Sequence, residues 1–572
     1  MENQIKSKKY FEWLTVIGLL IVFLAPRLIG LAKFATLDEP YWLVSGSNFY
    51  YALGQRDFAS TVWDYHPAVT TMWLITLVLM FYFPAYRGQG QGYFYVYKEW
   101  KWEAFLKEFG KQAIDVLFYS RLLQTLLLAA LFILLYWLMQ KVAGKRITIA
   151  ALLFLSLDPM FLGHSRLLTH EAMLVTFLLV SFTSMAVYLF AEKKFGFVLL
   201  SAVMGALAQL TKSSGIVLFP LILLLIAIKI WDERKSVPIL KNILERLKMI
   251  AVWAAALALV YVAVWPGMWV RPVSILHEVY GNALSYAFKG ARLYTTQNLD
   301  NINFNVNPGR INFYAETMLW RTTPLMWLGL LAAITAFFKK NFLSKNGKYY
   351  LGLTAIFGLG MFMMFALLKG RDSAHYIMLT YAAFDICAGI GLLAAFDWLA
   401  RNKIKPGNLF FGIALAIQAA FVIPFYPYYY TYYSPIMEAV QPGVQNGNFG
   451  YGEGLDLAAK YLNQKRGAQS LTVLAYWGNG PFSYFFDGRT IMLVNNYYKP
   501  ELKNDLLADL RRSDYLVIYY QFQKSMARVM NVVDALEPYP PEHVIWMNGI
   551  ESIRIYNIHE LPKEFFDFIA NQ

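Results

Sequence analysis

The chain has 572 residues, 58% hydrophobic, 17% aromatic and only 15% charged, with a mean hydropathy of +0.40 and a formal net charge of +14. Soluble domains carry roughly 25% charged residues, so this composition sets aside an ordinary soluble enzyme and fits a chain that spends much of its length in lipid. Nucleic-acid binding is set aside too, because the positive charge falls in short connections between apolar runs, where membrane topology explains it. The single cysteine, Cys387, permits neither an intrachain disulfide nor a cysteine-based zinc site.

A membrane-spanning helix needs about 20 apolar residues. In chain order the candidate runs are 13–31, 67–84, 115–140, 147–163, 170–191, 196–210, 215–230, 248–269, 320–338, 349–368, 376–399 and 408–426. The first follows Lys6, Lys8 and Lys9 as a signal peptide would. However, Lys33 stands where a cleavage motif ending at Ala35 needs a small residue, so the run reads as an uncleaved span. Charge then decides which runs cross. If 67–84 lies along the outer surface, one side receives Lys141, Lys145 and Arg146, then Lys193 and Lys194, the run from Lys229 to Lys248, the run from Lys339 to Lys348, and Arg401, Lys403 and Lys405. That side also holds the N-terminus, as the positive-inside rule requires. If 67–84 crossed, every one of these connections would lie outside. The expectation is an all-α polytopic membrane protein with eleven spans, a cytoplasmic N-terminus and an extracytoplasmic C-terminus.

Three stretches read as outer segments. Residues 32–114 form a first loop, and residues 270–319 form a second, rich in asparagine (Asn298, Asn301, Asn303, Asn305, Asn307). Residues 435–572 form a soluble tail behind a membrane domain of residues 1–434. In the tail, Leu471–Tyr476, Tyr515–Tyr519 and Ser552–Tyr556 predict strands, and Asp456–Gln464 and Lys499–Arg512 predict helices, a small α/β domain.

Ionisable residues gather at the outer ends of the spans. They are Asp38, Glu39, Asp64, His66, Arg121, Asp158, His164, Arg166, His170, Glu171, Lys212, Arg371, Asp372 and His375, with Tyr376 beside the last. Charges this close to hydrocarbon need partners or water, and a convergent set of them indicates function. Asp38-Glu39 supplies a general base or an acceptor-positioning carboxylate. Lys212, Arg371 and Arg121 can neutralise a phosphate, Arg by forking onto its oxygens and Lys as a point charge. A carboxylate base with a cationic cradle suits transfer from a lipid phosphate, with the lipid tail between helices. No phosphate-binding glycine loop is present, which argues against a nucleotide donor. No cofactor is called for. His164, His170 and Glu171 leave a divalent metal open, although no paired zinc-hydrolase motif occurs. The alternative reading is a transporter or flippase for a lipid-linked or anionic substrate. Transporters commonly place polar residues at the midplane of repeated halves, and neither feature shows in this sequence.

The stretches TLDEPYW (36–42), DYHPAVTTMW (64–73), GHSRLLTHEAMLVTF (163–177), LAQLTKSSGIVLFP (207–220) and GRDSAHYIMLTY (370–381) together resemble the GT-C membrane glycosyltransferases. The resemblance is to the branch of protein O-mannosyltransferases and the aminoarabinose transferase of lipid A (glycosyltransferase family 39). FYPYYYTYYSP (425–435) and GYGEGLDLAAKYLN (450–463) are similar to bacterial members. The resemblance covers most of 14–465 and implies juxtamembrane helices in the first loop. It implies inverting transfer of a sugar from a polyprenyl-phosphate carrier to an acceptor that the sequence does not specify. It also implies that Asp38 is the catalytic acid position, with Glu39 its neighbour. His66-Pro67 then matches a His-Pro-Pro stretch in which Ala68 replaces the second proline. Glu171 stands where relatives carry Asp, Lys212 in a Thr-Lys element, and His375-Tyr376 in an element near the carrier phosphate. Arg121, Arg166 and Arg371 complete the expected substrate-binding set.

Overall fold

A computed structural model describes residues 2–290, 293, 311–339, 342–369, 373–401, 407–441, 450–493, 503–520 and 530–571. The asparagine-rich stretch, Arg371 and Asp372 lie outside the described residues. The chain divides into two compact units.

The first unit comprises residues 1–29, 46–90 and 120–444 and is helical. Eight helices are long and apolar enough to cross a membrane: Tyr10–Leu28, Ala113–Ala143, His170–Phe190, Ser213–Glu233, Ile239–Val264, Lys345–Leu367, Ala374–Ala400 and Asn408–Phe425. Two sharply bent pairs, Lys145–Ser156 with Pro159–Ser165 (71°) and Ile311–Arg321 with Pro324–Phe338 (109°), raise the count to ten. Each bend has a local cause. Asp158 caps Pro159–Ser165, its carboxylate accepting the Phe161 N–H at 2.6 Å, and Thr323 caps Pro324–Phe338 through the Met326 N–H. In both cases proline takes the first helical position, where its missing N–H costs nothing. The eleventh expected span, 196–210, is the helix Gly196–Thr211. Its 16 residues rise only about 24 Å, less than a bilayer core of roughly 30 Å, so length leaves the count at eight to ten. The run 67–84 is the 14-residue helix Val69–Tyr82.

The basic connections are tied by carboxylates. Lys141 meets Glu192 at 2.9 Å, Arg246 meets Glu233 at 2.8 Å, and Arg146 forks onto Asp397. These pairs share one end of the helices. His170 and Glu171 open the helix whose other end leads to Glu192. His375 likewise precedes the long helix that ends at Arg401, four residues after Asp397.

The second unit comprises residues 30–45, 91–119 and 445–572. Its sheet contains β1 (Thr472–Tyr476), β2 (Arg489–Leu493), β3 (Tyr515–Ile518), β4 (His543–Met547) and β5 (Ile550–Asn557) in the order β2-β1-β3-β5-β4. β1 runs parallel to β2 and β3, while β5 is antiparallel to β3 and β4. The three predicted strands are the three inner ones. β2 and β4 are the outer strands, mostly not fully buried, and are not among the predicted strands, although residues 491–493 and 544–547 are apolar. The predicted helices appear as Leu455–Asn463 and Lys503–Arg511.

One backbone position explains a sequence departure. Ala68, just before Val69–Tyr82, has φ +51°, and its N–H donates to the Thr211 carbonyl at 3.2 Å. Proline fixes φ near −65° and has no N–H, so it cannot occupy this position. Alanine accepts the left-handed conformation at a cost of about 1–2 kcal/mol. Ala68→Gly should therefore match or exceed the parent in the thermal midpoint of the purified protein in detergent. Ala68→Pro should lower that midpoint by several degrees or prevent folding; equal midpoints for the proline and glycine variants would contradict the assignment.

Candidate functional site

In the first unit a cavity of about 390 Å³ opens beside Lys212. Its walls are mostly apolar. The helix Pro272–Lys289 gives Tyr280, Leu284 and Phe288, and the 345–367 helix gives Met364 and Phe365. Polar groups enter at Tyr65, His66, Lys212, Ser213, Lys369 and Tyr376. An apolar body with a few convergent polar groups is the usual form of a ligand site.

Lys212 reaches the cavity because the helix stops there. Gly196–Thr211 ends, Lys212 is extended (φ −156°, ψ 138°), and a 3₁₀ turn, Ser213–Val217, restarts the chain. His375 and Tyr376 arise in the same way: extended Ser373 (φ −156°, ψ 139°) precedes the 3₁₀ turn Ala374–Ile377. The Lys212 ammonium lies 2.8 Å from Glu171 Oε1 and 4.5 Å from the centre of the Tyr376 ring. Lys212 and Glu171 are each only 6% exposed. His375 Nε2 is 3.9 Å from the same Glu171 oxygen, and its Nδ1 is 2.9 Å from the Ser373 hydroxyl. The His164 ring lies 5.4 Å from that of His375. Helix Val69–Tyr82 is locked to this cluster by Thr70 on Thr211 and Thr71 on His170 Nδ1, each at 2.8 Å. Among the described residues, no group of three or more His, Cys, Asp or Glu side chains is arranged to hold a metal ion.

The structure thus brings His66, Glu171, Lys212, His375 and Tyr376 together. Arg166 serves the frame instead. Its guanidinium donates to the Ile29 carbonyl at 2.6 Å and the Pro427 carbonyl at 3.3 Å, and it stacks near Tyr426 and Tyr429. Arg121 is fully buried within Ala113–Ala143 and does not line the cavity. Arg371 lies outside the described residues. Sequence reasoning missed Lys369, a second cation on the cavity wall, although it directly precedes the GRDSAHY stretch. It also missed Tyr280, whose hydroxyl meets Gln209 Oε1 at 3.1 Å. Burial pushes the Tyr280 phenol up to about 12, so it remains a neutral donor.

Asp38 and Glu39 belong to the second unit. They open the helix Asp38–Gln55 but play different parts. Glu39 is fully buried, and its Oε2 accepts the Thr36 N–H at 2.7 Å and the Thr36 hydroxyl at 2.9 Å, closing the turn that starts the helix. Asp38 is half-buried, and its Oδ2 accepts the Tyr451 hydroxyl at 2.8 Å. Tyr451 is placed by the GYGEG loop, where Glu453 accepts the backbone N–H groups of Gly450 and Tyr451 at 2.9 Å each. Gly452 has φ +107°, a conformation that side chains resist, and a Cβ there would lie only 3.0 Å from the Ala35 carbonyl oxygen.

No curated protein sequence matches this chain. The fold is similar to solved structures at low identity. ArnT from Cupriavidus metallidurans bound to undecaprenyl phosphate matches at 13% identity and TM-score 0.49, over 94% of this chain and 97% of that one. The archaeal oligosaccharyltransferase AglB from Archaeoglobus fulgidus, in complex with an inhibitory peptide and a dolichol-phosphate, matches at 12% and 0.46, over 97% and 75%. The apo form of the Archaeoglobus fulgidus oligosaccharyltransferase matches at 11% and 0.47, over 92% and 71%. The sequence of residues 90–277 matches the family described as dolichyl-phosphate-mannose-protein mannosyltransferase. That stretch, about a third of the chain, includes Arg121, Glu171 and Lys212.

Proposed function

We propose that the chain transfers a sugar with inversion from a polyprenyl-phosphate carrier at the extracytoplasmic face, with Asp38 as base and Lys212 as phosphate cation. The supporting observation is a lysine, paired with Glu171, at the polar head of an apolar cavity. The cavity takes the isoprenoid nearest the headgroup. The phosphate meets Lys212, with Lys369 as a second cation, and competes with Glu171 for the Lys212 ammonium. As the anomeric carbon–oxygen bond breaks, negative charge grows on the departing phosphate, and fixed cations stabilise that charge most. Asp38 accepts the proton of the attacking acceptor group. Tyr451 orients the Asp38 carboxylate, and Glu39 sets the turn that carries it. Two considerations support the extracytoplasmic assignment: the cluster occupies the helix ends opposite the basic connections, and the positive-inside rule favours a cytoplasmic side for such connections.

Asp38→Asn keeps the shape and an oxygen for Tyr451 but removes the base. Transfer measured at saturating donor and acceptor should fall at least about 100-fold, with donor binding unchanged. Near-normal turnover would remove Asp38 from the mechanism. Glu39→Ala should instead destabilise the protein by about 1–3 kcal/mol, the cost of orphaning a buried donor, while the folded fraction retains activity. For orientation, a cysteine at position 95 in a Cys387→Ala background should react with an impermeant maleimide on intact cells. Reaction only after permeabilisation would reverse the topology.

A further inference from the structure

The second unit holds a cavity of about 660 Å³ that the reaction above does not use. One wall is formed by Gly488, Arg489, Thr490, Ile491 and Met492. Successive side chains of a strand point to opposite faces, so five consecutive residues line one cavity only if it runs along the strand's edge. β2 is the terminal strand of the sheet, paired among the described residues with β1 alone. The Arg489 N–H donates towards β1, to the Leu471 carbonyl at 2.8 Å. N–H groups alternate sides along a strand, so those of Thr490 and Met492 point away from β1, into the cavity.

The facing wall comes from Glu99–Glu108 and the residues before it. Tyr97 and Trp100 each leave 52% of their surface open. Four cations line the space, Lys98, Lys107, Arg489 and Arg512, against one carboxylate, Glu103. Glu103 is already engaged by Lys107 at 2.8 Å and by the Ser483 hydroxyl at 2.9 Å. Arg512 also pairs with Asp509. The balance on the wall is positive, and it lies next to a strand edge that is unpaired among the described residues and two exposed aromatic rings.

We propose that this cavity docks an acidic polypeptide segment in extended conformation, which adds to β2 as a further strand. The outward N–H groups of β2 bind its carbonyls, its carboxylates meet Lys98, Arg489 and Arg512, and its other side chains lie against Tyr97 and Trp100. Strand addition takes affinity from backbone hydrogen bonds and specificity from flanking side chains, and the repeat of donors along β2 matches a polypeptide rather than a polysaccharide. Charge complementarity fixes the sign of the partner. The proposal is independent of the identity of the catalytic base, since it concerns binding alone.

The test uses the full-length protein in detergent and a fluorescein-labelled (Thr-Glu)₅ peptide, read by fluorescence anisotropy. Saturable binding is expected, weakened at least about tenfold in the Arg489→Glu, Arg512→Glu double variant. The same peptide N-methylated at every residue should bind at least about tenfold more weakly to the unaltered protein, because neither of its edges can then pair along a strand. A glucuronate oligosaccharide of equal charge should fail to displace the peptide. Absence of saturable binding, equal binding of the N-methylated peptide, or displacement by the oligosaccharide at equal concentration would each overturn the proposal.

Discussion

A lysine buried beside hydrocarbon cannot keep its charge without a counter-charge, and in the first unit that constraint organises the surroundings of Lys212. Leaving such a charge unpaired costs several kcal/mol. Glu171 supplies the partner at 2.8 Å, and the Tyr376 ring covers another face of the ammonium. The pair is neutral as a unit, so the fold can hold it before any substrate arrives. On the proposed mechanism a phosphate replaces one anion by another at a cation already in position. Three features must hold together for this. The helix must break at Lys212, Glu171 must lie in the first turn of its own helix, and Val69–Tyr82 must be pinned through Thr70 and Thr71. A transporter would set its polar groups at the midplane, whereas this cluster sits where helices begin and end.

The same geometry links topology to chemistry. His170 and Glu171 begin a helix whose other end leads into lysines and Glu192, and His375 precedes a helix that ends at Arg401. The cluster and the basic connections therefore lie at opposite ends of the same helices. In the second unit a comparable economy operates at the start of Asp38–Gln55. Two adjacent carboxylates are separated by hydrogen bonding: Glu39 is consumed by the turn, and Asp38 is held through Tyr451.

The spans were legible because a run of about 20 apolar residues matches the thickness of a bilayer and exceeds what a small soluble core can cover. The helix Val69–Tyr82 was legible as an apolar run, and at 14 residues it is shorter than a span needs. Lys212, Glu171 and His375 were legible as polar residues flanking apolar runs. Further features left no such mark. β2 and β4 are edge strands whose apolar runs, residues 491–493 and 544–547, are only three and four residues long, too short to separate from apolar loop by periodicity. Arg166 carries the same charge as a phosphate-binding arginine, and only its contacts with the Ile29 and Pro427 carbonyls show that it braces backbone. Glu39 and Asp38 are adjacent acids that spacing cannot separate. Ala68 appeared as a departure from a His-Pro-Pro pattern, and its positive φ supplies the reason. Gly196–Thr211 shows where length counting fails, since its apolar character suits a span and its extent does not.

The central claim is that Lys212 recognises the phosphate of a polyprenyl carrier at the head of the apolar cavity. Native mass spectrometry of the purified protein with undecaprenyl phosphate, and separately with undecaprenol, tests it directly. A one-to-one adduct with the phosphate is expected, and undecaprenol should not reproduce it. That adduct should be lost in Lys212→Met, which keeps the apolar stem and removes the charge. Equal binding of the alcohol and the phosphate, or an undiminished phosphate adduct in Lys212→Met, would contradict the claim.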